Sequence, residues 1–200
     1  MIVAPMDFAD GPITPREVLL RSRIVLVGAI DAAAGNRVAA ELLSLEQLDP
    51  QAEIALHVNS DRGSVPAALA VYDTMQLVSC PVATLCVGQA RGVASLLLAA
   101  GAPGRRASLP HARISLHPPV DAFDTLPGPA DEQAEEVRRL RRVLVQLYSR
   151  HCERPPAEVE EWMARERFMG VEEARRFGLV DRVADRPPRP WAGVFADEPG

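Results

Sequence analysis

Pro81-Val82-Ala83-Thr84-Leu85-Cys86-Val87-Gly88-Gln89-Ala90-Arg91-Gly92-Val93-Ala94-Ser95-Leu96-Leu97-Leu98-Ala99-Ala100 is the stretch on which the fold turns. Pro81 to Val87 is an apolar run with strand character. Gly88 to Gly92 has a glycine at each end and reads as a tight connection. Val93 to Ala100 is an apolar helix, stopped by Gly101-Ala102-Pro103-Gly104. A strand running through a glycine turn straight into a buried helix is the local grammar of an α/β protein.

The rhythm repeats toward the N-terminus. Ile54-Ala55-Leu56-His57-Val58-Asn59-Ser60 is a strand, Asp61-Arg62-Gly63-Ser64 a turn, and Val65 to Val78 a helix with Ala68, Val71, Tyr72 and Met75 on one face. Arg23 to Gly28 is an earlier strand. Asp31 to Leu48 is a helix ended by Asp49-Pro50. Thr14-Pro15-Arg16-Glu17 is a helix start, with a polar cap, Pro at the first position and Glu at the third.

Toward the C-terminus, Ser108-Leu109-Pro110 and Arg113 to His117 are short strands. The segment 118–130 is rich in Pro and Asp and reads as a loop. Asp131 to Cys152 is one long helix. Its Glu135 and Glu136 lie within reach of Arg139 and Arg141, and Leu140, Val143, Leu144 and Leu147 form its apolar stripe. Helices over Ala157 to Arg165 and Val171 to Phe177, then a strand Leu179 to Val183, complete the pattern. Strand and helix in alternation imply right-handed crossovers and a mainly parallel sheet. Residues 1–13 are expected to be a loose arm, 14–184 a single domain, and 185–200 a mobile Pro-rich tail.

Composition narrows the chemistry. Hydrophobic residues make up 48% and charged residues 24%, as in a globular domain. The net charge of −5 disfavours phosphate-driven nucleic-acid binding. Every basic residue other than histidine is Arg, so no lysine Schiff base or lysine general base exists. Cys80, Cys86 and Cys152 form no CxxC pair; Cys80 and Cys86 flank an apolar run and read as buried free thiols, and the odd count fits a reducing cytoplasm. His57, His111 and His151 lack metal-ligand spacing, and no metal or cofactor is expected. The acidic, Pro-bearing N-terminus does not read as a signal peptide. The run Val93 to Ala100 is too short to span a bilayer, so no membrane association is expected.

The motifs along this frame resemble those of the ClpP family of serine peptidases. Asn59-Ser60-Asp61-Arg62-Gly63 is similar to that family's Asn-Ser-Pro-Gly-Gly. Gly88-Gln89-Ala90-Arg91-Gly92-Val93-Ala94 is similar to its Gly-Gln-Ala-x-Ser-Met-Gly nucleophile turn. Leu109-Pro110 through His117-Pro118-Pro119 resembles the segment that bears the family's histidine. Arg165 to Met169 and Glu173 to Asp181 resemble its C-terminal signature. The resemblance runs from Leu19 to Val183. It implies a ClpP/crotonase-like fold with a protruding handle over about residues 118–152. It also implies two stacked heptameric rings and docking to a ring-shaped ATPase that feeds in unfolded protein.

Carried over residue by residue, the resemblance places Gly92 where the family has its nucleophilic serine. His117 takes the histidine position, and Glu166 the position usually held by Asp. The N–H groups of Gly63 and Val93 take the oxyanion positions. A serine peptidase needs a hydroxyl to attack, a histidine to take its proton, a carboxylate to orient that histidine, and main-chain donors for the oxyanion. Glycine has no hydroxyl. Asp61 and Arg62 stand where the family has Pro-Gly, and Arg resists backbone shapes that Gly allows. Ser95, one helical turn past Gly92, is the alternative nucleophile; a serine inside an apolar helix is expected instead to bond back to a carbonyl one turn earlier. Asp121, Ala122, Asp124, Pro127 and Pro129 replace the family's Gly-rich pairing strand, which puts ring–ring pairing in question.

Three functions follow. The first is a non-catalytic ClpP-like subunit, in homo- or hetero-oligomeric rings with active ClpP-like partners. The second is an active ATP-dependent serine endopeptidase subunit that uses Ser95. The third is a crotonase-like acyl-CoA enzyme, which shares the fold but would need an acyl- and phosphate-binding cleft. The surplus apolar surface of the Leu140–Leu147 stripe is a further reason to expect an oligomer.

Overall fold

The computed structural model describes residues 14–119 and 129–184. The expected arm, the tail and most of the handle loop therefore lie outside the described residues. Thr14 caps α1 (Pro15–Arg21) with a reciprocal capping box to Glu17, as Thr-Pro-x-Glu demands. β1 (Ile24–Val27) follows, then α2 (Ala32–Leu48), whose cap Asp31 accepts from the Ala34 N–H. β2 (Ile54–Ser60) leads to α3 (Val65–Leu77), and β3 (Val82–Arg91) to α4 (Val93–Ala99). β4 (Arg106–Ser108) and β5 (Arg113–Ser115) precede the long α5 (Ala130–Cys152). α6 (Pro156–Arg165), α7 (Val171–Phe177) and β6 (Arg182–Val183) close the chain.

The sheet runs β1-β2-β3-β4-β6, with β5 paired to β3, and every pair of named strands is parallel. Helical crossovers make that the expected outcome. Ile54, Leu56, Val58, Leu85, Cys86, Leu96, Leu97 and Leu98 are among the core residues, and all four anticipated α3 positions are buried. The three cysteines are free and buried.

β3 extends four residues past its anticipated end. Pairing with β2 slips from Val58↔Cys86 to Ser60↔Ala90, so the strand bulges around Gly88. Gly88 has φ +90, and a Cβ there would stand 2.9 Å from Asn59 Oδ1. Only glycine fits this position. Beyond the bulge, Gln89–Arg91 pairs with Arg113–Ser115 of β5. The segment read as a turn is thus a bent strand that delivers Gly92 beside the residues leading to His117.

Two readings of α5 need correction. Its buried positions are Leu140, Leu144, Val145, Tyr148 and Cys152, so the apolar stripe lies further round than the Leu140–Val143–Leu144–Leu147 reading. Those side chains join the chain's own core, so the stripe is no argument for an oligomer. Glu136 pairs with Arg139 as expected, but Glu135 pairs with Arg138 and Arg142, not Arg141. Ala130–Arg139 has no buried residue, so the N-terminal part of α5 carries no core packing.

Arg106 ties the far end of the sheet together. Its side chain pairs with Asp181 and donates to the Ala99, His151 and Gly178 carbonyls at the ends of α4, α5 and α7. Those carbonyls lack intrahelical partners, and one mostly buried guanidinium satisfies all three.

Candidate functional site

A cleft of about 820 Å³ opens where β2 and β3 end. Gly63, Gly92, Val93 and His117 line it, with Asp61, Arg62 and Arg91 along its polar part and Ile30, Val65 and Leu140 on its apolar part. The ends of parallel strands are where such crevices form, because the crossovers diverge there.

Gly92 sits at the junction of β3 and α4 with φ +56 and ψ −126. That is a strained conformation for a residue with a side chain and an easy one for glycine. Space is not the obstacle to a side chain. A Cβ on Gly92 would meet only His117 Cβ, at an ordinary 3.4 Å. The backbone therefore has the sharp strand-to-helix turn that exposes a nucleophile, with no nucleophile on it.

Gly63 is a glycine for a different reason. A Cβ there would lie 2.8 Å from Val93 Cγ2 and 2.9 Å from Ile30 Cβ. The Asp61–Gly63 loop is anchored by Ile30 N–H to Arg62 O, Ser64 N–H to Ile30 O, and Ser60 Oγ to Arg62 O. Gly63 and Val93 consequently face the same cleft at van der Waals distance. Arg62 is free of the positive-φ strain that Arg in place of Gly suggested. Its side chain is 75% exposed and stands 3.7 Å from Asp61, a surface ion pair of little worth.

His117 and Glu166 come together, but not in the order a triad uses. His117 Nδ1 is 2.6 Å from the Pro118 carbonyl, which can only accept, so Nδ1 carries the proton. Nε2 then faces the Glu166 carboxylate across 3.9 Å, beyond hydrogen-bond range. In a triad the carboxylate takes Nδ1–H and leaves Nε2 for the nucleophile's proton. Glu166 instead stands on the Nε2 side, on a left-handed residue (φ +47) that ends α6, with its side chain 47% exposed.

Ser95 is fully buried. Its Oγ lies 2.8 Å from Gly92 O, 3.1 Å from Ser115 O and 2.7 Å from Tyr148 Oη. The Gly92 carbonyl is the back-bond anticipated one turn earlier. Tyr148 escaped the sequence reading, although it is wholly buried and also donates to Gly92 O at 2.8 Å. Burial pushes its phenol well above the ordinary range, so it stays protonated and a donor. An i, i+4 apolar count gives no weight to a tyrosine facing a serine 53 residues away.

His57 and His151 lie outside the cleft. Burial holds His57 below its usual value. His151, beside Arg150 and Arg106, is pushed down to about 4 by burial first and those cations second. His151 Nε2 meets Tyr72 Oη at 2.9 Å. Among the described residues no three His, Cys, Asp or Glu side chains form a metal-holding group. No helix among them is long and apolar enough to cross a membrane.

The family model described as Clp protease matches residues 12–187, nearly the whole chain and all of the cleft. With its parallel sheet, bulged β3 and the Gly92 turn, the chain belongs to the Clp protease family.

Proposed function

We propose that this chain is a non-catalytic subunit of a Clp-type proteolytic assembly, a structural or regulatory companion of active serine-peptidase subunits. The observation that carries the reading is the Gly92 turn: its backbone has a nucleophile's conformation, and it bears no hydroxyl. The hydroxyl nearest in sequence, on Ser95, is turned into the core and bonded there. His117 supports the same reading, because its proton-accepting nitrogen faces a carboxylate across a gap.

The main-chain half of the site is kept. The cleft, about 820 Å³ in volume, is lined by Gly63 and Val93 and has an apolar wall, which supports binding of an extended peptide. On this reading it contacts unfolded chain without cutting it. Membership of the family supports ring assembly with ClpP-like neighbours and a ring ATPase that delivers substrate. The acyl-CoA alternative gains nothing here.

The test is turnover of a small fluorogenic peptide by the purified chain, together with labelling by a fluorophosphonate. Neither is expected. Hydrolysis that disappears on Ser95→Ala would overturn the reading and restore the displaced nucleophile. Native mass measurement, alone and with an active ClpP-like subunit, should give a ring. A monomer in both cases would remove the assembly role.

A further inference from the structure

Gly92 has the conformational freedom of a glycine, yet it holds one particular strained-type geometry. The hydrogen bonds show what restrains it. Gly92 O lies 2.9 Å from Ser95 N, 2.8 Å from Ser95 Oγ and 2.8 Å from Tyr148 Oη. Its N–H donates to Ser115 O at 2.9 Å. The two hydroxyls come from α4 and α5, are both buried, and meet each other at 2.7 Å.

The peptide plane converts this into a statement about the cleft. Gly92 C=O and Val93 N–H belong to one planar trans unit and point in opposite directions. A carbonyl held toward Ser95 and Tyr148, in the core, aims the Val93 N–H away from it, and Val93 lines the cleft. The same helix that carries Tyr148 supplies Leu140 to the cleft wall. α5 therefore contributes both to the wall and to the orientation of a donor.

We propose that Tyr148 and Ser95 are positioning residues: their hydroxyls fix the Gly92–Val93 peptide so that the Val93 N–H stands ready to bind a peptide carbonyl in the cleft. This rests on the reading of the cleft as a non-cutting peptide site. Ser95 thereby has a defined task without being a nucleophile. The donor is preorganised by buried groups, so its orientation costs nothing when a carbonyl arrives.

The experiment compares the full chain with Tyr148→Phe/Ser95→Ala, which removes two oxygens and keeps the packing, and with Val145→Ala, which trims the same helix in the core without touching the hydroxyls. One readout is the anisotropy of a fluorescein-labelled, unstructured peptide of about ten residues. The other is the crystal structure of the Gly92–Val93 peptide in each variant. The double variant is expected to weaken binding about tenfold and to turn the 92–93 peptide or split it into conformers. Val145→Ala is expected to lower stability with unchanged affinity. Wild-type affinity in the double variant, an unmoved 92–93 peptide, or equal weakening by Val145→Ala overturns the proposal. If the parent chain takes up no peptide, the peptide-site reading fails. The crystal comparison still decides the positioning role, a turned 92–93 peptide upholding it and an unmoved one overturning it.

Discussion

The two sides of the Gly92 turn are built to different standards. Behind it, Ser95, Tyr148, Ser115 and the Gly92 carbonyl form a closed, buried network with contacts of 2.7–3.1 Å. In front of it, His117 and Glu166 face each other across 3.9 Å, and the carboxylate is half exposed. Buried polar groups must be satisfied or the fold loses stability, whereas groups at a solvated cleft can drift without cost. The comparison teaches that the main chain of this turn is held tightly because it is also part of the core, while the side chains in front of it are not.

The largest expected effect tests whether the front is truly disordered as chemistry. Gly92→Ser should leave hydrolysis at least about 10³-fold below an ordinary serine peptidase, since an unoriented histidine costs that much with serine in place. Space is available for the serine, so poor activity would trace to His117 and Glu166. Adding Glu166→Asp and Arg62→Gly should raise the rate no further, because neither change brings a carboxylate to Nδ1 of His117, and Arg62 is unstrained and exposed. Full activity from Gly92→Ser alone, in a fluorogenic assay, would erase the contrast between the two sides.

A second pair of substitutions sharpens it in energy. Gly63→Ala forces a Cβ to within 3 Å of both Val93 and Ile30 and should cost about 2–3 kcal/mol by overpacking. Gly92→Ala meets only His117 Cβ, at an ordinary 3.4 Å, and should cost about 1 kcal/mol as backbone strain. Denaturant midpoints would rank them. The reverse order would mean that the turn, not the Gly63–Val93 contact, is the rigid element.

Away from the cleft, His151 predicts a pH dependence. Its folded value of about 4 lies below the ordinary 6.5, so the unfolded chain binds more protons between the two. Stability from this group is whole above pH 6.5, declines as pH falls toward 4, and declines no further below that. Thermal midpoints should fall across this window, and His151→Gln should flatten the profile there. An unchanged slope would show that other groups dominate.

The smallest effect belongs to Glu166. Glu166→Gln should change stability by less than about 0.5 kcal/mol, because the carboxylate is half exposed and makes no hydrogen bond to His117. A loss above 1 kcal/mol, read from urea unfolding, would mean the front of the site is as tightly built as the back.

Much of this was legible in the residues. Strand and helix periods, the Thr14 cap and the Gly178 stop follow from local chemistry, and the helix and strand boundaries fall within a few residues of those readings. The family resemblance put Gly63, Gly92, Val93 and His117 at one site, and the parallel sheet brings all four to one cleft, Val93 as the first residue of α4. The stripe of α5 was misjudged because counting apolar residues cannot see which side a neighbour covers. Tyr148 was passed over for the same reason.

By itself, then, the sequence determined the elements, their parallel arrangement and the absence of a hydroxyl at the turn, since each depends on side-chain type and near neighbours. Only the tertiary structure decided that β3 bends at Gly88 to reach β5, and that Glu166 stands on the Nε2 side of His117. It alone turned the Ser95 hydroxyl inward to Tyr148. Those outcomes depend on which distant groups share a few ångströms of space, and packing sets that, not periodicity.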